Sequence, residues 1–214
     1  MIMRIVNISA SLARHAEKTY KKGGKPNRIT IHHSAVNSGN ARAYARYHVG
    51  KGWPGIGYHF VITPDGTIQQ CWDVSTITFH TGGANRGNIG ICLDGNAAFT
   101  SEQHAAWKNL CRVLCMRYHI PENNVRGHRE WPGQRTGCPG FTPSFKLMLR
   151  NGDRGEEVTL LQRSLIQSGT ALSVFGADGV FGKETERAVK QFQRTTGLQV
   201  DGLCGPRTLA ALWS

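Results

Sequence analysis

Arg28-Ile29-Thr30-Ile31-His32-His33 is the run on which the fold turns. Its isoleucines and threonine favour a strand. Asn88-Ile89-Gly90-Ile91-Cys92-Leu93 reads the same way. Between the two, Ala41–Val49 predicts a short helix. Tyr58–Thr63, the turn Pro64-Asp65-Gly66 and Thr67–Trp72 predict a hairpin. Further on, Thr100 or Ser101 can cap a long helix reaching about His119, with Trp107, Leu110, Leu114 and Tyr118 in one apolar stripe. Asn124–His128 predicts a last short strand. Strands mixed with helices specify an α/β domain around a mostly buried central sheet.

From about residue 150 the text changes to compact helices punctuated by glycine. Asp178-Gly179-Val180-Phe181-Gly182-Lys183-Glu184-Thr185 matches Asp201-Gly202-Leu203-Cys204-Gly205-Pro206-Arg207-Thr208 as D-G-x-x-G-x-x-T, offset by 23 residues. Each copy reads as a glycine turn feeding a helix, and Pro206 suits the first turn of the second helix. Val158, Leu161, Leu165 and Ile166 precede the first copy at helical spacing. Ala188, Val189, Phe192 and Gln193 follow it. The expected product is a small three-helix domain, near the lower size limit for independent stability. The division expected is residues 1–147 and 148–214.

The chain has 214 residues, 26 of them basic and 14 acidic, for a net charge of +12. Residues 1–149 carry +11 of this and residues 150–214 carry +1. A 39% hydrophobic content excludes wholesale disorder. No run approaches the ~18 apolar residues of a membrane helix, so membrane insertion is not expected. The N-terminal text lacks a signal-peptide core, so synthesis without export is expected. The charge asks for an anionic partner. A nucleic-acid face would add interleaved aromatics or a known motif, and neither occurs, so no nucleic-acid partner is expected. The Lys18–Lys25 cluster reads as a solvated, flexible segment. The six cysteines lack the dense spacing of a disulfide scaffold. Cys111 and Cys115 share a helix face and read as core.

Among nine histidines, placement singles out His32, which ends a strand, and His128, which follows a strand and a glycine. Cys138 stands ten residues later in T-G-C-P-G. Two imidazoles, a thiolate and an open position would suit a catalytic zinc. His15, His48, His104 and His119 read as structural. His33 faces away from His32 in a regular strand. Glu130 reads equally as a carboxylate orienting a ligand and as a solvent-facing loop residue.

Five blocks occur in the order found in zinc-dependent N-acetylmuramoyl-L-alanine amidases of the phage-lysozyme and peptidoglycan-recognition-protein type. They are I-T-I-H32-H33-S-A, G-Y58-H59-F-V-I-T-P-D-G, H80-T-G-G-A-N85, N-I-G-I-C-L and G-H128-R-E-W-P-G-Q-R-T136-G-C138-P-G. Residues 25–147 resemble this family. The resemblance implies a central mixed β-sheet flanked by helices and one zinc ion held by His32, His128 and Cys138. It implies an active-site role for Tyr58. Thr136 stands where relatives carry Lys or Thr, and would supply a neutral donor only. Cys92 stands where some relatives carry a glutamate, so no general base is evident. His80 and Asn85 lie in a loop resembling the substrate-contacting one, though loop geometry alone would also explain them. Trp53 and Trp131 could line a groove.

Residues 150–214 resemble the peptidoglycan-binding module of many wall hydrolases, through G152-D-R-G155-E-E-V158, D178-G-V-F-G182-K-E-T185 and D201-G-L-C-G205-P-R-T208. The two resemblances imply an endolysin-like enzyme whose partner is bacterial peptidoglycan, and a monomer is expected. It would wait in the host cytoplasm until released to the wall. The alternative they leave is a non-catalytic recognition protein of the same fold.

Overall fold

Arg28–His33 forms β2, and its Ile29 and Ile31 are fully buried because strands flank it on both sides. A computed structural model describes residues 4–96 and 98–213. Met1, Ile2 and Met3 of the segment read for export lie outside the described residues, as do Ala97 and Ser214. β5 (Asn88–Leu93) runs parallel to β2, with Arg28 opposite Asn88 and His32 opposite Cys92. β6 (Val125–Gly127) runs parallel on the other side, with Ile31 opposite Gly127. The hairpin forms as β3 (Phe60–Ile62) and β4 (Ile68–Gln70), antiparallel, with β3 parallel to β5. Asp65 holds its turn, taking hydrogen bonds from Thr67 N at 3.1 Å and the Thr67 hydroxyl at 2.8 Å.

A strand absent from the sequence reading, β1 (Ile5–Asn7), lies parallel to β4 at the sheet edge. Three residues carry no period of their own, and only the β4 ladder defines this strand. The sheet order is β1-β4-β3-β5-β2-β6, a mixed sheet as expected.

α1 (Ala41–Gly50) starts at Asn40, whose side chain accepts from Ala43 N at 3.0 Å. Its Ala41 and Ala45 join Ile56, Val61, Cys71 and Cys92 in one buried cluster. Small residues on this helix face allow close approach to the sheet. α2 (Ser101–Tyr118) is capped by Thr100. The Thr100 hydroxyl accepts from Gln103 N and the Gln103 side chain accepts from Thr100 N, both at 3.1 Å, a reciprocal capping box. Trp107, Leu110 and Leu114 are buried, as are Cys111 and Cys115. No described helix is long and apolar enough to cross a membrane.

The Lys18–Lys25 segment is ordered, contrary to its polar composition. Ile77 N donates to Lys21 O at 2.8 Å, Lys22 bridges to Thr76, and the Tyr20 hydroxyl donates to Gly55 O at 3.0 Å. Backbone pairing holds this stretch while its charges remain in water.

The chain divides into two compact units, one of Met1–Cys111 with Asn123–Ser144 and one of Arg112–Glu122 with Phe145–Ser214. The second contains α3 (Glu156–Gln167), α4 (Lys183–Thr195) and α5 (Pro206–Leu212). Val158, Leu161, Leu165, Phe181, Val189 and Leu209 form its core. Ile166, expected on the apolar face of α3, is 45% exposed. One step past Leu165 turns a side chain by about 100°, and the buried polar Gln162 occupies the inner face instead. Gln162 donates to Asp178 at 2.8 Å, Thr185 at 3.0 Å and Val180 O at 3.1 Å, and accepts from Gly179 N at 2.8 Å. Gln193 repeats this pattern with Asp201, Thr208, Leu203 O and Gly202 N. The eight-residue repeat thus has a buried glutamine clamp on each copy.

Candidate metal centre and active site

Parallel strands end along one edge of a sheet, where chemistry gathers in open α/β folds. The pairing of Ile31 with Gly127 brings the next residues, His32 and His128, together at that edge. Their rings lie 4.6 Å apart between centroids. Cys138 returns to the same point, its Sγ 3.6 Å from His32 Nδ1. One donor atom from each of His32, His128 and Cys138 lies within 4.8 Å of the others. Tetrahedral donors at zinc distances of about 2.3 Å for sulfur and 2.0–2.1 Å for nitrogen would stand roughly 3.6 Å apart. The Cys138–His32 separation matches this.

The hydrogen bonds select the tautomers that leave metal-binding lone pairs. His80 Nε2 lies 3.0 Å from Asn88 O, a pure acceptor, so it carries hydrogen. His80 Nδ1, 3.0 Å from His32 Nε2, then accepts from it. His32 Nδ1 is left unprotonated toward Cys138. In the same way His128 Nε2 donates to Gln134 Oε1 at 2.9 Å, which frees His128 Nδ1. Backing of a ligating imidazole by an acceptor is how metal sites fix ring orientation.

Burial pushes His32 well below the usual imidazole range, and neighbouring His80 and His128 add to this. Burial also lowers His128. It raises the Cys138 thiol to about 11, against the pull of the His33 N–H and Arg129. The His33 N–H donates to Cys138 Sγ at 3.4 Å. Two neutral imidazoles and a buried sulfur suit a borderline-soft divalent ion better than oxygen-seeking Mg²⁺ or Ca²⁺.

Tyr58 is half-buried, its ring 5.3 Å from that of His32. Burial, with Cys92 and Cys138 nearby, raises its pKa well above the usual phenol value. Thr136 is exposed, and its hydroxyl oxygen accepts from Cys138 N at 3.1 Å. His80 is buried against His32. Asn85 accepts from His80 N at 3.1 Å and Thr81 N at 2.7 Å, tying its loop. Trp53 is half-buried and stacks on His48, centroids 4.6 Å apart at 13°. Trp131 is buried and donates to the Thr30 hydroxyl at 2.7 Å. The Glu130 carboxylate accepts from Gly127 N and holds the turn before His128.

Two residues here escaped the sequence reading. Gln134 sits inside the last sequence block with nothing to distinguish it from a polar loop residue. His59 follows Tyr58 and is fully buried. Its Nε2 lies 2.9 Å from Thr76 O and its Nδ1 accepts from Gly90 N at 3.0 Å. It joins the hairpin to β5.

Residues 154–212 match a peptidoglycan binding domain family. The endolysin of Escherichia phage T7 is 30% identical over 155 residues, 67% of this chain and 97% of that protein. The N-acetylmuramoyl-L-alanine amidase CwlL of Bacillus licheniformis is 27% identical over 64% of this chain, which spans 47% of that longer protein. Among solved structures, the N-acetylmuramoyl-L-alanine amidase LysC from Clostridium intestinale superposes with a TM-score of 0.58 at 29% identity, covering 64% of this chain and 89% of that one. Residues 22–141 match the N-acetylmuramoyl-L-alanine amidase family, and the chain belongs to that family.

Proposed function

We propose that this peptidoglycan hydrolase is a zinc enzyme that cleaves the amide between the lactyl group of N-acetylmuramic acid and L-alanine of the stem peptide. The observation that carries the reading is the grouping of His32, His128 and Cys138 donor atoms within 4.8 Å. His32 Nδ1, His128 Nδ1 and Cys138 Sγ would hold the ion. A bound zinc supplies Lewis acidity to a carbonyl and lowers the pKa of water to about 7.

The chain's own residues do the rest. His80 and Gln134 keep the two imidazoles in their metal-binding tautomers. Asn85 fixes the loop that carries His80. Thr136 sets the backbone of Cys138 while its O–H remains a neutral donor. Tyr58 stays protonated at neutral pH. Its O–H can donate to the developing oxyanion. Trp53 offers an aromatic wall for substrate.

Residues 1–147 would be the catalytic domain and 148–214 the wall-binding one, acting on peptidoglycan as a monomer after release from the host cytoplasm. A recognition protein without catalysis would have no need of the Cys138 donor. Digestion of purified sacculi tests the reading. New L-alanine amino termini without new reducing sugars, abolished by chelator and restored by zinc, are expected. Reducing ends without free amines would overturn it.

A further inference from the structure

The second unit contains a cavity of about 500 Å³ beside the second D-G-x-x-G-x-x-T copy. Its floor is the glutamine clamp, with Gln193 and Thr208 buried and their polar atoms mutually bonded. The floor is therefore rigid and internally satisfied. Its walls include two apolar side chains left partly in water, Met148 at 40% exposure and Leu203 at 37%. Two opposite charges stand at the rim. Arg207 is exposed and forms no ion pair among the described residues. Asp201 receives both Gln193 Nε2 and Leu203 N on the one oxygen Oδ1, at 2.8 Å each, and neither bond uses Oδ2.

We infer that this cavity is a subsite for the peptide part of peptidoglycan, with Arg207 taking a carboxylate, Asp201 Oδ2 an ammonium, and Met148 and Leu203 the short alkyl side chains between them. The inference rests on the wall-binding reading and names which part of the polymer the module holds. A glycan strand is the competing occupant. Sugar rings dock on aromatic faces, and the lining contains no aromatic residue. A short peptide with free carboxyl and amino groups matches both charges and the apolar wall. Charge-assisted hydrogen bonds would give the orientation and the exposed methyl-sized surface the contact.

The test uses the full chain, with chelator present to stop digestion. Wild type, Arg207→Gln and Leu203→Gln are sedimented with purified sacculi. Competitors are the peptide fraction of amidase-digested sacculi, the same fraction with carboxyl groups esterified, and peptide-free glycan strands. Without chelator, turnover of a soluble muramoyl peptide reports the catalytic unit. Each variant is expected to sediment at least about tenfold more weakly. Turnover and melting temperature should stay at wild-type values. The free peptide should compete, and the esterified peptide and glycan should not. Variants that bind like wild type, or competition by glycan alone, would overturn the subsite while leaving wall binding intact. A wild-type chain that does not sediment would overturn the wall-binding reading, and the subsite with it.

Discussion

The side-chain oxygen of Gln134 lies 2.9 Å from Nε2 of His128, while its amide nitrogen donates to Gly82 O at 2.8 Å. The second bond fixes which end of the amide is oxygen. The first therefore fixes which nitrogen of His128 carries hydrogen. A residue in a loop thus decides the tautomer of a proposed ligand. Gln134→Leu keeps the size and removes the acceptor. Metal affinity in a chelator-competition titration should fall about 10–100-fold. The melting temperature of the metal-free protein should change little. Unchanged affinity would remove Gln134 from the site.

Cys138 contributes a sulfur with only weak polar contacts, 3.4 Å from His33 N and 3.6 Å from His32 Nδ1. Cys138→Ala should leave the far-UV circular dichroism unchanged. Bound zinc, measured by elemental analysis, should fall from one per chain to a small fraction. Release of amino termini from sacculi should disappear with it. Full activity in this variant would show that the sulfur is not a ligand.

His59 is a buried imidazole locked in its neutral form, because Nδ1 accepts from Gly90 N and Nε2 faces the Thr76 carbonyl. Burial lowers its pKa to about 4, partly offset by the Thr76 contact. An unfolded histidine titrates near 6.5. Between these values the unfolded chain binds the extra proton, so stability is complete above about pH 6.5 and falls as pH drops toward 4. The full effect is about 3 kcal/mol. His59→Gln can keep both hydrogen bonds without titrating. Urea midpoints between pH 7 and 4 should decline less steeply in this variant than in wild type. Parallel slopes would contradict the assignment.

Gln162 and Gln193 each contact four polar groups of the repeat they clamp, the buried N–H of Gly179 or of Gly202 among them. Removing either leaves the buried Gly179 or Gly202 N–H unpaired, at a cost of about 1–3 kcal/mol, and opens a cavity beside it. Gln162→Ala and Gln193→Ala should each destabilise the protein by about 2–4 kcal/mol in urea unfolding. The exposed Gln191→Ala should stay within about 0.5 kcal/mol of wild type. Losses as small as this control would mean the clamp contributes little.

Local text determined the secondary structure well where it repeated or ran long. Arg28–His33 and Asn88–Leu93 are strands at the expected bounds, because six residues of β-rich sequence define themselves. The reciprocal Thr100–Gln103 cap follows from residues three apart. The D-G-x-x-G-x-x-T copies announced two turn-helix units, and the five ordered blocks announced the amidase family. β1 and the ordering of Lys18–Lys25 were not legible, since each exists only through backbone bonds to distant chain.

The sequence by itself determined which residues could serve as metal donors, and the family blocks pointed to His32, His128 and Cys138. Their meeting was decided by tertiary structure. His32 and His128 are far apart in the chain and become neighbours because β2 and β6 are parallel in the register that sets Ile31 opposite Gly127. The supporting residues His80, Gln134 and His59 acquire their roles only there. A hydrogen bond depends on distance and on which nitrogen faces which oxygen, and neither is carried by local sequence. The two glutamine clamps make the same point. Gln162 lies 16 residues before its aspartate and Gln193 only 8 before its own, yet packing gives both one function.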